Sequence, residues 1–313
     1  MHHRKNARFG VAVLAIALAL VSMAGCAPAQ KAAPAAAPAA TGAAYPMTIT
    51  DDAGRAVTID GEPKRIVSLA PANTEICYSL GLLDRVVGVT TYDDYPQQVT
   101  SIAKMGDFTT PNMEAVAAAK PDVVLVTGGV QADVIAKLEG VGAKVVVVDP
   151  KDLKGVFTAI RAIARVAGVS AKGEQVVSKM EADLAQITAK VGSAPRVSAF
   201  VEIGWNPLFT AGTGTLIDDL ITSAGGRNVV TQKDYVGYSV EQLVKDRPEV
   251  YLGTLTSIGD AKALAARPGF ALLPAVKAGR VYALDDNLVS RPGPRVVDGV
   301  RQIAAALHPD AFK

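Results

Sequence analysis

Histidine is scarce in this chain: three in 313 residues, at positions 2, 3 and 308. A zinc or manganese site built from clustered imidazoles therefore lacks its donors. A Ser-His-Asp hydrolase is excluded by the same shortage, because its base must be held by a third group, and His308 by the C-terminus reads as a surface residue. No nucleophile–base pair stands out, so the sequence offers no catalytic residue and no metal ligand set. Phosphate loops are missing as well. "AGTGT" at Ala211 has neither a G-K-[ST] ending nor the full G-x-G-x-x-G spacing, and reads as a strand-to-helix turn. The "GG" at Gly225 reads as a helix C-cap.

An excess of one charge is lacking too. The chain has 32 Lys and Arg against 30 Asp and Glu, a formal +2. Removing residues 1–25 takes away Arg4, Lys5 and Arg8 and no acid, which leaves −1. A body this close to neutral argues against nucleic acid and against a polybasic membrane-binding surface.

What is present begins with an address. The basic Arg4, Lys5 and Arg8 precede "FGVAVLAIALALVSMAG", an apolar run of signal-peptide length with no later span to act as a stop-transfer anchor. Cys26 directly follows "MAG", which resembles the bacterial lipobox whose cysteine becomes the lipidated N-terminus, although Met23 stands where leucine is commoner. Plain secretion with cleavage nearby is the alternative. With Cys26 acylated, Cys77 has no intrachain disulfide partner and reads as a small buried apolar residue. "APAQKAAPAAAPAATGAA" cannot bury a core and reads as a tether. The expected order is thus a signal peptide (1–25), an Ala/Pro-rich tether (26–45) and an extracytoplasmic, membrane-anchored, monomeric body.

The body alternates short β-branched runs with helical segments. "RIVSLA", "RVVGVT", "DVVLVT" and "KVVVVD" are separated by helices such as "MEAVAAAK" and "ADVIAKLEG", the pattern of βαβ units on a largely parallel sheet. The series restarts after Pro195 with "RVSAFVEI", "VYLGT" and "RVYAL". Between the halves, 153–192 is strand-free with apolar residues at three- and four-residue spacing, broken once near Gly168. This predicts an α/β protein of two lobes, 46–152 and 193–313, joined by a helical connector, with a ligand cleft between the carboxyl ends of their strands.

One stretch is written twice. "NMEAVAAAKPDVVLV" from Asn112 and "SVEQLVKDRPEVYLG" from Ser239 align at an offset of 127 residues, with Glu114 on Glu241, Lys120 on Arg247 and Pro121 on Pro248. Asn112 and Ser239 suit N-caps, and a glutamate in the first turn favours the helix dipole by about 0.3–1 kcal/mol. That explains either glutamate alone. Keeping both while Ala115, Ala118 and Val124 become Gln242, Lys245 and Tyr251 suggests one docking acid per lobe for a two-fold symmetric partner.

"RIVSLAPANTEICYSLGLLDRVVGVTTYDDYP", "MGDFTTPNMEAVAAAKPDVV" and "WNPLFTAGTGTLIDDLITSAGGRNVV" resemble the periplasmic substrate-binding proteins of iron-siderophore, haem and vitamin B12 ABC importers, in wording most of all the vitamin B12 binders. The resemblance runs from about residue 47 to the C-terminus. It implies two Rossmann-like lobes joined by one long rigid helix with little hinge closure. It also implies a permease dimer with its ATPase as partner, with Glu114 and Glu241 meeting arginines on the two permease subunits. It puts Tyr92, Phe108 and Tyr235 at ligand-contacting aromatic positions, with Phe108 replacing a tryptophan, Asn287 replacing an aspartate, and Arg291 matching in "SRPGPR".

The residues bear on the ligand independently. Of sixteen aromatics, Tyr92, Tyr95, Phe108, Trp205, Phe209, Tyr235 and Tyr238 fall in expected loops after strands, where π-faces could stack on a large flat ligand; about half are expected to be packing residues. Asp93, Asp94, Asp107, Asp285 and Asp286 outnumber the bases Arg291 and Arg227 in these loops. A polyanionic catecholate chelate needs converging cations, so a nearly neutral cobalt corrinoid fits better, ahead of haem or a neutral ferric hydroxamate siderophore. No cofactor of the protein's own is expected. A two-lobed extracellular sensor lipoprotein remains the alternative from another class.

Overall fold

The computed structural model describes residues 44–140, 142–259 and 261–313; the signal segment, Cys26 and nearly all of the tether lie outside them. A hairpin, β1 (Met47–Thr50) with β2 (Ala56–Ile59), opens the body. Then come β3 (Ile66–Ser68), α1 (Pro71–Ser79), β4 (Val86–Gly88), α2 (Met113–Ala118), β5 (Val123–Val126), α3 (Ala132–Gly140) and β6 (Val145–Val147). These four strands form a parallel sheet in the order β4-β3-β5-β6. Such an order places the crossover helices on both faces, so its strands must be apolar on both. They are: Val123 and Leu125 enter one core while Val124 and Val126, pointing the other way, enter a second under α2 and α3.

Two helices follow, α4 (Leu153–Val166) and α5 (Ser170–Val191). Asp152 caps α4, its carboxylate accepting from the Gly155 N–H at 2.6 Å. The break falls at Gly168, whose φ of 73° lies where a side chain is disfavoured. The helical connector, expected to break near Gly168, is thus two helices, because the chain turns there before the long helix starts. Leu153, Val156, Phe157, Ile160 and Ile163 of α4 are buried in the first lobe's core. The long connecting helix is α5, whose 22 residues span about 33 Å.

The second lobe comprises β7 (Val197–Gly204), β8 (Phe209–Ala211), α6 (Leu216–Ser223), β9 (Gly226–Asn228), β10 (Tyr235–Gly237), α7 (Val240–Asp246) and β11 (Val250–Thr254). It continues with α8 (Leu255–Ile258), α9 (Pro274–Lys277), β12 (Val281–Leu284), α10 (Asp286–Val289) and α11 (Val296–Leu307). Strands β9, β7, β11 and β12 pair in parallel, as the repeated pattern predicts. The far edge is antiparallel, β8 on β7 and β10 on β8. Phe209 and Tyr235, expected in loops, thus sit on strands, Tyr235 on the edge strand β10 and Phe209 on its neighbour β8; three-residue strands carry too little alternation to be read from sequence. The helix α5 packs on α4 and on α11, and one apolar core runs from Ile49 through α4 and α5 to Ile303. The protein is thus a two-lobed α/β structure with a shared spine.

Candidate ligand-binding cleft

A cavity of about 360 Å³ lies at the carboxyl ends of the first lobe's strands. Ala70–Asn73 follow β3, Tyr92 follows β4, Thr127 follows β5 and Val148 follows β6; Phe108 and Thr109 complete this wall. The second lobe closes over it with Ser290, Arg291 and Pro292. Its size is at the small end of the range of about 300–1,000 Å³ usual for small-molecule pockets, and its lining is mostly apolar.

Phe108 is held by its neighbours. The Asp107 carboxylate accepts from the Thr109 N–H and hydroxyl and from the Thr110 N–H at 2.6–2.9 Å, which folds the loop tightly. Those hydrogen bonds, the Thr110 N–H foremost, hold the Asp107 carboxyl below its ordinary value. From beneath, the buried Gln131 amide donates to the Phe108 and Leu69 carbonyls at 2.6 and 2.7 Å and accepts from the Thr127 N–H at 2.8 Å. One side chain thus ties together three segments of the cavity wall. Sequence reading passed over Gln131, because its partners lie 62 and 23 residues away.

A charged network joins the lobes beside the cavity. Glu75 in α1 is 2% exposed; its carboxylate accepts from Arg295 at 2.6 and 2.9 Å and from Arg291 at 3.1 Å. Arg291 also pairs with Asp94 at 2.6 Å, and the Arg295 guanidinium lies 4.0 Å from the Tyr95 ring centroid. Burial works against the Arg291 cation, yet Asp94 and Glu75 outweigh it and raise its pKa further. Glu75 and Arg295 were not anticipated. The available signal was a glutamate followed directly by the apolar Ile76 and Cys77. Cys77 itself is fully buried in α1, where burial, then the Asp93 carboxylate, pushes its thiol up to about 12.

The structure brings Tyr92, Phe108 and Arg291 together at the cavity and leaves the other anticipated ligand residues outside its lining. Tyr235, half-exposed on β10, lies near Asp149; crowding by protein atoms, then the Asp149 carboxylate, raises its phenol pKa. Trp205 stands edge-on to Phe270 at 5.1 Å and carries the Arg267 guanidinium 4.3 Å from its ring centre. Arg267 is anchored in turn at 2.6 Å by the fully buried Glu202, which also accepts from the Tyr251 hydroxyl. Tyr238 packs against Phe200 at 5.5 Å and donates its hydroxyl to Asp246; burial, then Asp246, raises its pKa. Asn287 lies in α10, its N–H donated to Asp285.

The two repeated helices agree in backbone detail. Asn112 accepts from the Ala115 N–H at 3.0 Å and Ser239 from the Gln242 N–H at 3.1 Å. Glu114 and Glu241 follow in the first turns, both exposed and neither in a salt bridge among the described residues. Each helix then passes through a left-handed basic residue, Lys120 (φ 45°) or Arg247 (φ 51°), before proline and the inner strand β5 or β11.

Two α/β lobes on a common helical spine, with a mostly apolar cavity at the strands' carboxyl ends, define a bilobal substrate-binding protein. The sequence profile described as periplasmic binding protein matches residues 66–288. YvrC of Bacillus subtilis (strain 168), named an uncharacterized ABC transporter substrate-binding lipoprotein, is 37% identical over 278 residues, 86% of this chain and 88% of the relative. The crystal structure of the periplasmic vitamin B12 binding protein BtuF of Vibrio cholerae has a TM-score of 0.71 at 27% identity, covering 80% of this chain and 99% of that one. The periplasmic haem-binding protein RhuT from Roseiflexus sp. RS-1, in apo form, has a TM-score of 0.72 at 26% identity, covering 79% and 99%. This chain belongs to the periplasmic binding protein family, a class of substrate-binding transport proteins and not of enzymes. Among the described residues, no helix is long and apolar enough to cross a membrane.

Proposed function

We propose that this protein is the lipid-anchored substrate-binding component of an ABC importer, and that it captures a large, nearly neutral metal chelate, a cobalt corrinoid first among them. The observation that carries the reading is the chemistry of the cavity's lining rather than its volume: Tyr92 and Phe108 offer aromatic surface, and Arg291, the one cation in that lining among the described residues, is paired with acids. The likenesses to a substrate-binding lipoprotein and to a vitamin B12 binder support the transport role and the ligand class. Tyr235 faces the cleft from the second lobe and Glu114 and Glu241 supply one permease-docking acid each. Cys26 is the lipidation site and the body works outside the cytoplasm. A haem or ferric siderophore receptor of the same family is the second reading, favoured by the likeness to the haem binder.

Calorimetric titration of the body with cyanocobalamin, haem and a ferric hydroxamate separates these readings. Saturable corrinoid binding at micromolar strength or tighter is expected, weakened at least tenfold by Phe108→Ala. Preference for haem or the hydroxamate replaces the corrinoid, and binding of none moves the assignment to an extracellular sensor.

A further inference from the structure

Four ionic side chains meet where the second lobe closes over the cavity: Arg291 and Arg295 against Glu75 and Asp94, a set with no net charge. Their roles differ. Glu75 is buried and accepts both Arg295 hydrogen bonds, so it is committed to the junction between lobes. Asp94 has a single cation partner, Arg291, and its side chain is 58% exposed, against 16% for Arg291. Its loop neighbour Tyr92 lines the same cavity as Arg291 and receives a weak hydrogen bond, at 3.4 Å, from the second Arg291 amino group on its carbonyl. A pair this exposed adds little stability, so fold maintenance does not account for the placement of Asp94. What it does change is the field at the cavity mouth. A guanidinium at a ligand cavity attracts carboxylate- and phenolate-bearing ligands; here an acid occupies the guanidinium first, and Asp107 adds further negative charge at the same rim, whereas Asp149 is paired with Lys151 at 2.7 Å.

We propose that Asp94 is a specificity residue: by occupying Arg291 it keeps anionic chelates out of the cleft and reserves it for ligands without net negative charge. This rests on the reading of the cavity as the ligand cleft and names the charge class of what enters it. Arg291 remains tethered to Glu75 when Asp94 is neutralised, so it stays at the cavity wall with hydrogen-bonding capacity to offer an anion.

The test is Asp94→Asn in the whole protein, titrated with haem, whose two carboxylates make it anionic, and with ferric tris-catecholate. Affinity for both is expected to rise at least tenfold (about 1.4 kcal/mol) and to acquire a fall with added salt that the wild type lacks. The double variant Asp94→Asn, Arg291→Gln loses the gain, which shows that it runs through the guanidinium. A change below threefold with either anion, in a variant whose circular dichroism and melting temperature match wild type, overturns the proposal. So does a gain that survives removal of Arg291. Cyanocobalamin binding by the wild type is read separately: its absence defeats the corrinoid assignment, whereas the charge filter stands or falls on the anion gain alone.

Discussion

Asp93 shows how much one side chain can cost. It is 4% exposed, and while one carboxylate oxygen accepts from the Thr90 N–H at 2.9 Å and hydroxyl at 2.5 Å, the other has no hydrogen-bond partner. Burial raises its pKa against the hydrogen bonds from Thr90, which favour the ion. An acid with a raised folded value keeps its proton in the native state at a pH where the unfolded chain has released it. Stability therefore falls as pH climbs from the ordinary aspartate range through the raised value. Asp93→Asn removes that dependence, so its stability relative to wild type is expected to improve as pH climbs from the ordinary aspartate value of about 4 through the raised folded value. Urea unfolding at intervals across this range measures the difference, and a flat difference contradicts the argument. Asp93 was noted in the sequence only as one more acid of the cleft loops; its burial follows from packing beside α1 and has no sequence signal.

At the scale of elements, the β1–β2 hairpin depends on Asp51. Its fully buried carboxylate accepts from the Ala53, Arg55 and Val147 N–H groups and from the Arg55 guanidinium, closing the turn and pinning it to β6. Burial opposes the charge, but Arg55 and Val147 outweigh it and hold the carboxyl below its ordinary value. A depressed value contributes stability above the unfolded pKa and loses it as pH falls through the folded one. Asp51→Ala is expected to cost about 2 kcal/mol at neutral pH, a charged-group hydrogen-bond figure kept moderate because Arg55 is partly exposed. The deficit shrinks in acid, and chemical denaturation at pH 7 and pH 3 checks both claims. This hairpin went unread in the sequence. Its four-residue strands earn their place by pairing with each other and by contacts with β6 almost a hundred residues later.

For the whole molecule the question is delivery. The core running through α4 and α5 into both lobes, and the Glu75–Arg291–Arg295 junction, tie the lobes together; in the proposed transport role, ligand release then falls to a partner at the cleft side. Glu114 and Glu241 are the acids proposed to meet it. Exposed carboxylate–arginine pairs contribute only about 0.2–1 kcal/mol each, so they orient docking more than they hold it. Replacing both with alanine is expected to leave the fold stable to within about 0.5 kcal/mol, leave ligand affinity unchanged and abolish stimulation of transport. Uptake in reconstituted vesicles decides it; undiminished transport by the double variant refutes the docking role.

Local pattern was enough for the architecture and for the two repeated capped helices that carry Glu114 and Glu241. β-branched runs with helical spacing between them predict parallel strands and crossovers because burial on both faces demands apolar residues at every strand position. The two capped helices are legible because N-cap, first-turn acid and pre-proline basic residue are all set within eight or nine residues. The cleft was legible only in part. Tyr92 and Phe108 reach it because loops after parallel strands converge there, whereas Trp205 and Tyr238 follow the same rule of position and pack into the second lobe instead. Nothing in either segment reveals that Phe270, Arg267 and Phe200 wait nearby to receive them. By itself the sequence determined the secondary structure, the two-lobed order and the internal repeat, since each is written in residues close along the chain. Only the tertiary structure decided which aromatics line the cavity and that the bordering arginine is already paired, because Arg291 meets Glu75 and Asp94 across 216 and 197 residues.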